Sequence, residues 1–408
     1  MKSVDSGCET ISVLPGGSVG SPKGFMSGGR NIGLRKQRPD LGWIVSEIPA
    51  AAAGVYTTNR FQAAPLQVTK ATIKSGHCLQ AIVANSVNAN SCTGDPGLEN
   101  AHRIQTLAAQ KFGIPAEHVG IASTGVIGVQ LPMDVMSQGI EAVNVLHEEG
   151  SFEQAIMTTD TKEKHLAVQF SVDGKEVTVG GACKGSGMIH PNMATMLGFV
   201  TTDAAVEAGA LQQALSDVTD RTFNRITVDG DTSTNDMVIA MANGMAENDQ
   251  LTPEHPQWPV FIAALETVCR GLAKKIAADG EGATKLIEVR VSGAADQLSA
   301  EKVSKAIVGS SLVKTAVFGS DANWGRIVCA IGYSGVAFDP SHVSAKLGTQ
   351  LLFQDGLPVP FDEQIAKAEL DGDNIVISVS LGEGSGSAVA WGCDLTYNYV
   401  KINTSYRS

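Results

Sequence analysis

The sequence predicts an α/β or α+β protein in which helices cover the sheets. Three observations carry this. Apolar residues alternate at Val168, Phe170 and Val172, at Ile287, Val289 and Val291, and at Ile375, Ile377, Val379 and Leu381, the period of a half-buried strand. Phe261, Leu265, Val268, Leu272 and Ile276 recur in steps of three and four, one apolar helix stripe. The two patterns also interleave along the chain rather than segregating.

In chain order, strand signals cluster at 41–58, 78–85, 117–124, 166–200, 225–243, 286–292 and 374–395. Residues 99–112 read as a helix closed by Gly113, Leu211, Leu215 and Val218 mark a second, and the 261–276 stripe a third. A boundary is expected near 280–286, after the long helix and the turn Asp279–Lys285. It would divide a catalytic unit, 1–285, from a smaller C-terminal α/β domain, 286–408. There is no internal repeat and no low-complexity segment.

The 408 residues are 43% hydrophobic, enough for a large core and for more than one domain. With 44 glycines, the chain is suited to tight turns and close backbone approaches. Thirty Lys and Arg stand against 42 Asp and Glu, for a net charge of −12. Such a chain is a poor partner for a phosphate backbone or an anionic membrane. No stretch approaches the length of an apolar membrane span, and the first residues lack the apolar core of a signal peptide. The expected location is the cytoplasm. Cys8, Cys78, Cys92, Cys183, Cys269, Cys329 and Cys393 contain no CxxC, so neither a disulfide framework nor a zinc site is expected. Most are expected to be small buried residues. The eight His are scattered without an HExxH pair, and no metal or cofactor is called for.

The chemistry concentrates in residues 180–203, GGACKGSGMIHPNMATMLGFVTTD. A Gly-rich loop, Lys184–Met188, precedes a His-Pro-Asn turn, and Ala194–Thr195 opens an apolar run. If the Thr195 hydroxyl attacked the Ala194 carbonyl, an N-to-O acyl shift and hydrolysis would leave Thr195 as a new N-terminus. Its α-amine would have a pKa of about 7.7–8.0, against about 10.4 for a lysine. It could then take the proton of its own hydroxyl, making one residue both base and nucleophile. By residue type alone the commoner reading is plainer: ATMLGFV is a buried strand and Thr195 an ordinary β-branched member of it.

Lys184-Gly-Ser-Gly-Met188 followed by His190-Pro-Asn-Met-Ala-Thr195 resembles the autoprocessing site of the ornithine acetyltransferase family of arginine biosynthesis. Ser123–Gly128, Ala155–Thr161, Asp229–Asp236, Asp279–Lys285, Asp321–Arg326 and the tail from Gly392 to Asn403 resemble further segments of that family, in the same order. The resemblance implies a layered αββα sandwich of the self-processing Thr-nucleophile type. It implies cleavage into chains 1–194 and 195–408, and transfer of acetyl from N-acetylornithine to glutamate through acetyl-Thr195, with ping-pong kinetics.

The resemblance also assigns roles. Ala194 supplies the attacked carbonyl and Thr195 the nucleophile. Thr124 and Gly125 form the oxyanion hole, where fixed donors meet developing negative charge. Thr158, Lys184, Glu281, Asn403 and Ser408 line the amino-acid pocket, where Lys184 suits a carboxylate and Glu281 an ammonium. Some members of the family also take acetyl-CoA, and the chain has no nucleotide-binding fingerprint that decides this. The family assembles two copies of each cleaved chain into a heterotetramer. A related aminopeptidase or amidohydrolase would share the scaffold and resolve the acyl-enzyme with water.

Three further readings come from the residues themselves. Asp229–Asp236 is a polar turn near the active site. Lys274, in the long helix, is a solvated charge. His190 either assists processing or stabilises its turn.

Overall fold

The computed structural model describes residues 11–146, 150–190 and 196–405. Among these, sixteen strands form two sheets: β1 (Ser12–Leu14), β2 (Phe25–Arg30), β3 (Leu41–Tyr56), β4 (Cys78–Asn85), β5 (Val119–Ser123), β6 (Lys164–Val172), β7 (Lys175–Lys184), β8 (Leu197–Thr202), β9 (Ile226–Thr227), β10 (Met237–Ala242), β11 (Leu286–Ala294), β12 (Ser344–Leu347), β13 (Gln350–Gln354), β14 (Leu357–Pro358), β15 (Asn374–Ser380) and β16 (Gly386–Cys393). The larger sheet runs β1-β6-β7-β8-β10-β3-β4-β5, with β2 also on β3. The second runs β14-β13-β12-β15-β11-β16-β9.

β3 gives the larger sheet its layered form. Its first half pairs with β2 and β4, its second half with β10, and its register on β4 shifts between Val45 and Ala50. One strand thus serves two limbs. Between the limbs lies a core that includes Ile44, Ala52, Ile82, Phe152, Phe199 and Ile239. Helices Ala208–Arg221 and Trp258–Ala278 cover one outer face. Gly94–Phe112 and Met133–Glu141 cover the other. The expected αββα layering is present, built largely from one sheet turned back on itself.

Trp258–Ala278 shows how sequence becomes packing. Pro259 sits in its first turn, where a missing N–H costs nothing. The predicted stripe is wholly buried, with Phe261, Val268, Leu272 and Ile276 at 0% exposure. Truncating one such Leu or Ile to Ala costs about 2–5 kcal/mol. The helix ends at Asp279, which delivers the 279–285 turn to the site. Gly94–Phe112 ends as expected at Gly113, in the left-handed region at φ 68°.

Two expectations need correction. Lys274 is solvated only in part: its side chain is 40% exposed, while its Nζ pairs with Glu288 Oε2 at 2.9 Å and lies over the Trp391 ring. Of the six described cysteines only Cys183, Cys269 and Cys393 are buried, while Cys92 and Cys329 are exposed. A lone small residue carries too little pattern to reveal its environment. Among the described residues, no helix is long and apolar enough to cross a membrane.

Candidate active site

The site forms where four segments meet: the end of β5, the end of β7, the start of β8 and the turn after Trp258–Ala278. They enclose a cavity of ≈ 250 Å³ lined by Thr124, Gly125, Thr158, Lys184, Glu281 and Asn403, together with Met196 and Leu197. Six of the sequence-predicted residues are thus brought together. Ala194, Thr195 and Ser408 lie outside the described residues.

β5 is buried along its length and hands the chain to Thr124 and Gly125. Thr124 N donates to Asn85 O at 3.0 Å, and Val126 N to Val87 O at 2.9 Å. The intervening Gly125 N–H has no acceptor among the described residues. Gly125 has φ 130°, and a Cβ there would lie 2.1 Å from the Val87 carbonyl carbon, so only glycine fits. Asn235 fixes the segment from the other side, donating from Nδ2 to Ser123 O at 2.8 Å and Ala89 O at 2.6 Å.

Lys184 ends β7, and its Nζ donates to Thr124 Oγ1 at 3.4 Å. Beneath it lies a buried charge cluster that the sequence reading missed. Lys164 Nζ pairs with Asp160 Oδ1 at 2.7 Å and Asp279 Oδ2 at 2.5 Å. Asp160 also accepts from Gly185 N at 2.7 Å and Thr158 N at 3.0 Å. Asp279 accepts from Thr161 N at 3.0 Å. One cluster therefore ties together three of the cavity's walls. Burial alone would raise the Asp160 carboxyl, but the Lys184 and Lys164 ammonium groups hold it well below the usual range. Burial alone would lower Lys164, and Asp160 and Asp279 raise it instead. Asp160 and Lys164 are four apart in sequence, a faint signal, and nothing in the sequence ties Asp279 to them.

The second wall comes from far along the chain. Asn403 Nδ2 donates to Glu281 Oε2 at 2.7 Å, joining the C-terminal helix Tyr397–Ser405 to the 279–285 turn. A Cβ at Gly187 would meet the Glu281 carboxylate at 2.4 Å, so the Gly-rich loop makes room for that acid. Asp229 accepts from Met188 N at 2.7 Å and Ile189 N at 2.9 Å, and from the Tyr399 hydroxyl at 3.3 Å. The 229–236 turn borders the cavity through Asp229, Asp231, Ser233, Asn235 and Asp236.

His190 Nδ1 lies 3.0 Å from Thr227 Oγ1, and His190 O accepts from Thr232 Oγ1 at 2.9 Å. Burial and the Lys305 charge push its imidazolium down to about 4, so the ring is neutral at pH 7. Among the described residues, no three His, Cys, Asp or Glu side chains converge as metal ligands would.

The sequence profile of the ArgJ family matches residues 26–408. The chain belongs to the ArgJ family. Two relatives named arginine biosynthesis bifunctional protein ArgJ show how close the match is. That of Oceanobacillus iheyensis is 55% identical over 399 residues, 98% of each chain. That of Bacillus subtilis is 56% identical over 393 residues, 96% of this chain and 97% of the relative. A crystal structure of Bacillus halodurans argJ is 58% identical with a TM-score of 0.51, covering 52% of this chain and 100% of its own. This ArgJ family member is an enzyme of arginine biosynthesis, an acetyltransferase.

Proposed function

We propose that the enzyme cuts itself between Ala194 and Thr195 and then moves acetyl from N-acetyl-L-ornithine to L-glutamate through an ester on Thr195. The observation that carries this reading is the single cavity that gathers Thr124, Gly125, Thr158, Lys184, Glu281 and Asn403 beside Met196, the residue bonded to Thr195. In self-cleavage, Thr195 Oγ attacks the Ala194 carbonyl carbon, the C–N bond breaks, and the hydroxyl proton passes to the nitrogen. Water then hydrolyses the ester, leaving the Ala194 carboxylate and a free Thr195. A relative's length supports this. The Bacillus halodurans chain matches along 100% of its own length yet covers 52% of this one, and 195–408 is the same share of the 408 residues.

In transfer, the neutral Thr195 amine takes the proton of its own hydroxyl, and Oγ attacks the acetyl carbonyl. Thr124 Oγ and Gly125 N–H are the donors for the resulting oxyanion, each such donor being worth about 2.7–4 kcal/mol. The amide C–N bond breaks, the amine's extra proton goes to the leaving nitrogen, and ornithine departs. The neutral α-amine of glutamate attacks the ester, the C–O bond breaks, and a proton returns to Oγ. Lys184 pairs with the carboxylate common to both substrates. Glu281, held by Asn403, pairs with the side-chain ammonium that only the ornithine substrate has, and Thr158 bonds the polar remainder. We assign Ser408 to the same pocket.

The word bifunctional in the relatives' names supports acetyl-CoA as a second acetyl donor, with no bound cofactor. The reading includes a heterotetramer of two 1–194 and two 195–408 chains, working in the cytoplasm, with 286–408 as the smaller domain. The test is exchange of labelled ornithine into N-acetylornithine without glutamate. Ping-pong transfer predicts exchange, with parallel double-reciprocal plots when glutamate is added. No exchange, or acetate release at the same rate without glutamate, would overturn it in favour of a ternary complex or a hydrolase.

A further inference from the structure

Between Ser123 and Val126, two pinned peptide planes flank a third that faces the cavity. The peptide joining Ser123 to Thr124 is held at both ends. Its oxygen accepts from Asn235 Nδ2 at 2.8 Å, and its N–H donates to Asn85 O at 3.0 Å. The peptide joining Gly125 to Val126 is held through its N–H, which donates to Val87 O at 2.9 Å. A peptide is planar, so the plane between them, which carries the Gly125 N–H, takes its direction from these two neighbours.

Asn235 ties this segment to a second loop. Its Nδ2 also donates to Ala89 O at 2.6 Å, and Ala89 N donates to Val126 O at 2.9 Å. Asn90 N, in the same peptide as Ala89 O, donates to Asn88 Oδ1 at 2.8 Å. Val87 on that loop has φ 79°, a left-handed conformation that a β-branched residue keeps only where its surroundings impose it. Asn235 is 4% exposed and borders the cavity. An asparagine side chain has two N–H hydrogens, and here both go to backbone carbonyls, while Oδ1 accepts from Thr234 Oγ1 at 2.7 Å. No hydrogen is left for a substrate, so any effect of this amide on the reaction runs through the backbone it holds.

We propose that Asn235 is a positioning residue for acetyl transfer, locking the Ser123 and Ala89 carbonyls so that Thr124 Oγ and the Gly125 N–H stay aimed into the cavity. The inference rests on the oxyanion role given to Thr124 and Gly125 above. Such donors lower a barrier because they are fixed before the reaction and need no reorganisation during it. Without Asn235 the Ser123–Thr124 plane is held at one end only and can turn, carrying the next peptide with it. A misplacement of about 1 Å can cost about 10²-fold in rate. Glu281 and Lys184, which take the charges of the substrates, stand on other elements. Substrate binding is therefore left in place while the transition state loses its donors.

The test compares Asn235→Ala, which removes both bonds, with Asn235→Asp, which keeps the size and offers at most one hydrogen. Rates are scaled to the cleaved fraction of each protein, read by intact mass. In Asn235→Ala, kcat and kcat/KM should fall together by about 10²-fold, with KM for both substrates within about threefold, the pattern of an interaction felt only in the transition state. Asn235→Asp should lose about tenfold or more. A raised KM with kcat unchanged would make Asn235 a binding residue and overturn the proposal. Added to Thr124→Val, where one donor is already gone, Asn235→Ala should cost clearly less than it costs alone; an equal cost would show independent action and overturn it as well. Undiminished kcat in Thr124→Val itself would overturn the oxyanion reading. Diminished kcat there, beside undiminished kcat in both Asn235 variants, would overturn the assignment to Asn235 alone. Hydrogen exchange gives a second measurement, whether or not the chain is cut. Exchange over 85–91 and 123–128 should quicken in Asn235→Ala while β11 and β15 keep their rates, and unchanged exchange over 123–128 would contradict the proposal.

Discussion

Lys184 Nζ donates to Thr124 Oγ1 across 3.4 Å, joining the end of β7 to the turn after β5. Because Thr124 Oγ1 accepts this bond, its own proton is left to donate into the cavity. A cation thereby sets the direction in which a neutral hydroxyl points. Thr124→Val, which keeps the shape and removes the hydroxyl, should lower kcat of acetyl transfer by about 10²–10³-fold. Thr124→Ser should retain activity within about tenfold. Equal loss in both variants would mean that shape, not the hydroxyl, is what matters.

The division of labour between Lys184 and Glu281 makes a separable kinetic prediction. Glutamate lacks the side-chain ammonium that N-acetylornithine carries. Glu281→Gln should therefore raise the KM for the donor by about tenfold or more, a charge-assisted bond being worth about 1.5–3 kcal/mol. The KM for glutamate should change little. Lys184→Met should weaken both substrates, since both present a carboxylate. Gly187→Ala, whose Cβ would meet the Glu281 carboxylate at 2.4 Å, should imitate Glu281→Gln on the donor side.

The buried cluster of Asp160, Lys164 and Asp279 should govern stability. Lys164 is 1% exposed, and Lys164→Met would strand two carboxylates. That should destabilise the protein by about 3–5 kcal/mol, read from the denaturant midpoint. The pH dependence has two sides. The folded Asp160 is held below its ordinary value of 3.8, so its contribution is fully present above 3.8 and is lost as pH falls further. The folded Lys164 is raised above 10.5, so its contribution is fully present below 10.5 and is lost as pH rises through the higher folded value. Asp160→Asn should flatten the acid limb of the stability curve. An unchanged acid limb would show that other carboxylates govern acid unfolding.

Gly125→Ala should fail for a backbone reason. Its φ of 130° disfavours any side chain, and the Cβ would lie 2.1 Å from the Val87 carbonyl carbon. About 1–3 kcal/mol of strain is expected from the conformation alone, and the Gly125 N–H would be turned from its direction. Thermal unfolding should show a lowered Tm, with transfer reduced beyond what the loss of folded protein explains.

What could be read from the sequence follows from how each feature is encoded. The long helix and strands β6, β11 and β15 announce themselves through local period, because one face of each is buried. β12, β13 and β14 are too short to establish a period. Glu281 and Asn403 bond across 122 residues, a pairing that no spacing reveals and that only family resemblance suggested. The pairing of the partly solvated Lys274 was not legible because its partner Glu288 lies on another element and Trp391 farther still. Asp236 went unremarked because a polar run such as Asp229–Asp236 looks like a solvated turn, and its burial arises only when β10 packs beside β8.

The central claim is that Thr195 is released as a nucleophile carrying its own base. Intact mass spectrometry of the purified wild type beside Thr195→Ala tests it most directly. The account predicts two chains in the wild type, 1–194 and 195–408, and one full-length chain in the variant. A single intact chain in both would mean that Thr195 never gains a free amine, and the mechanism would fall.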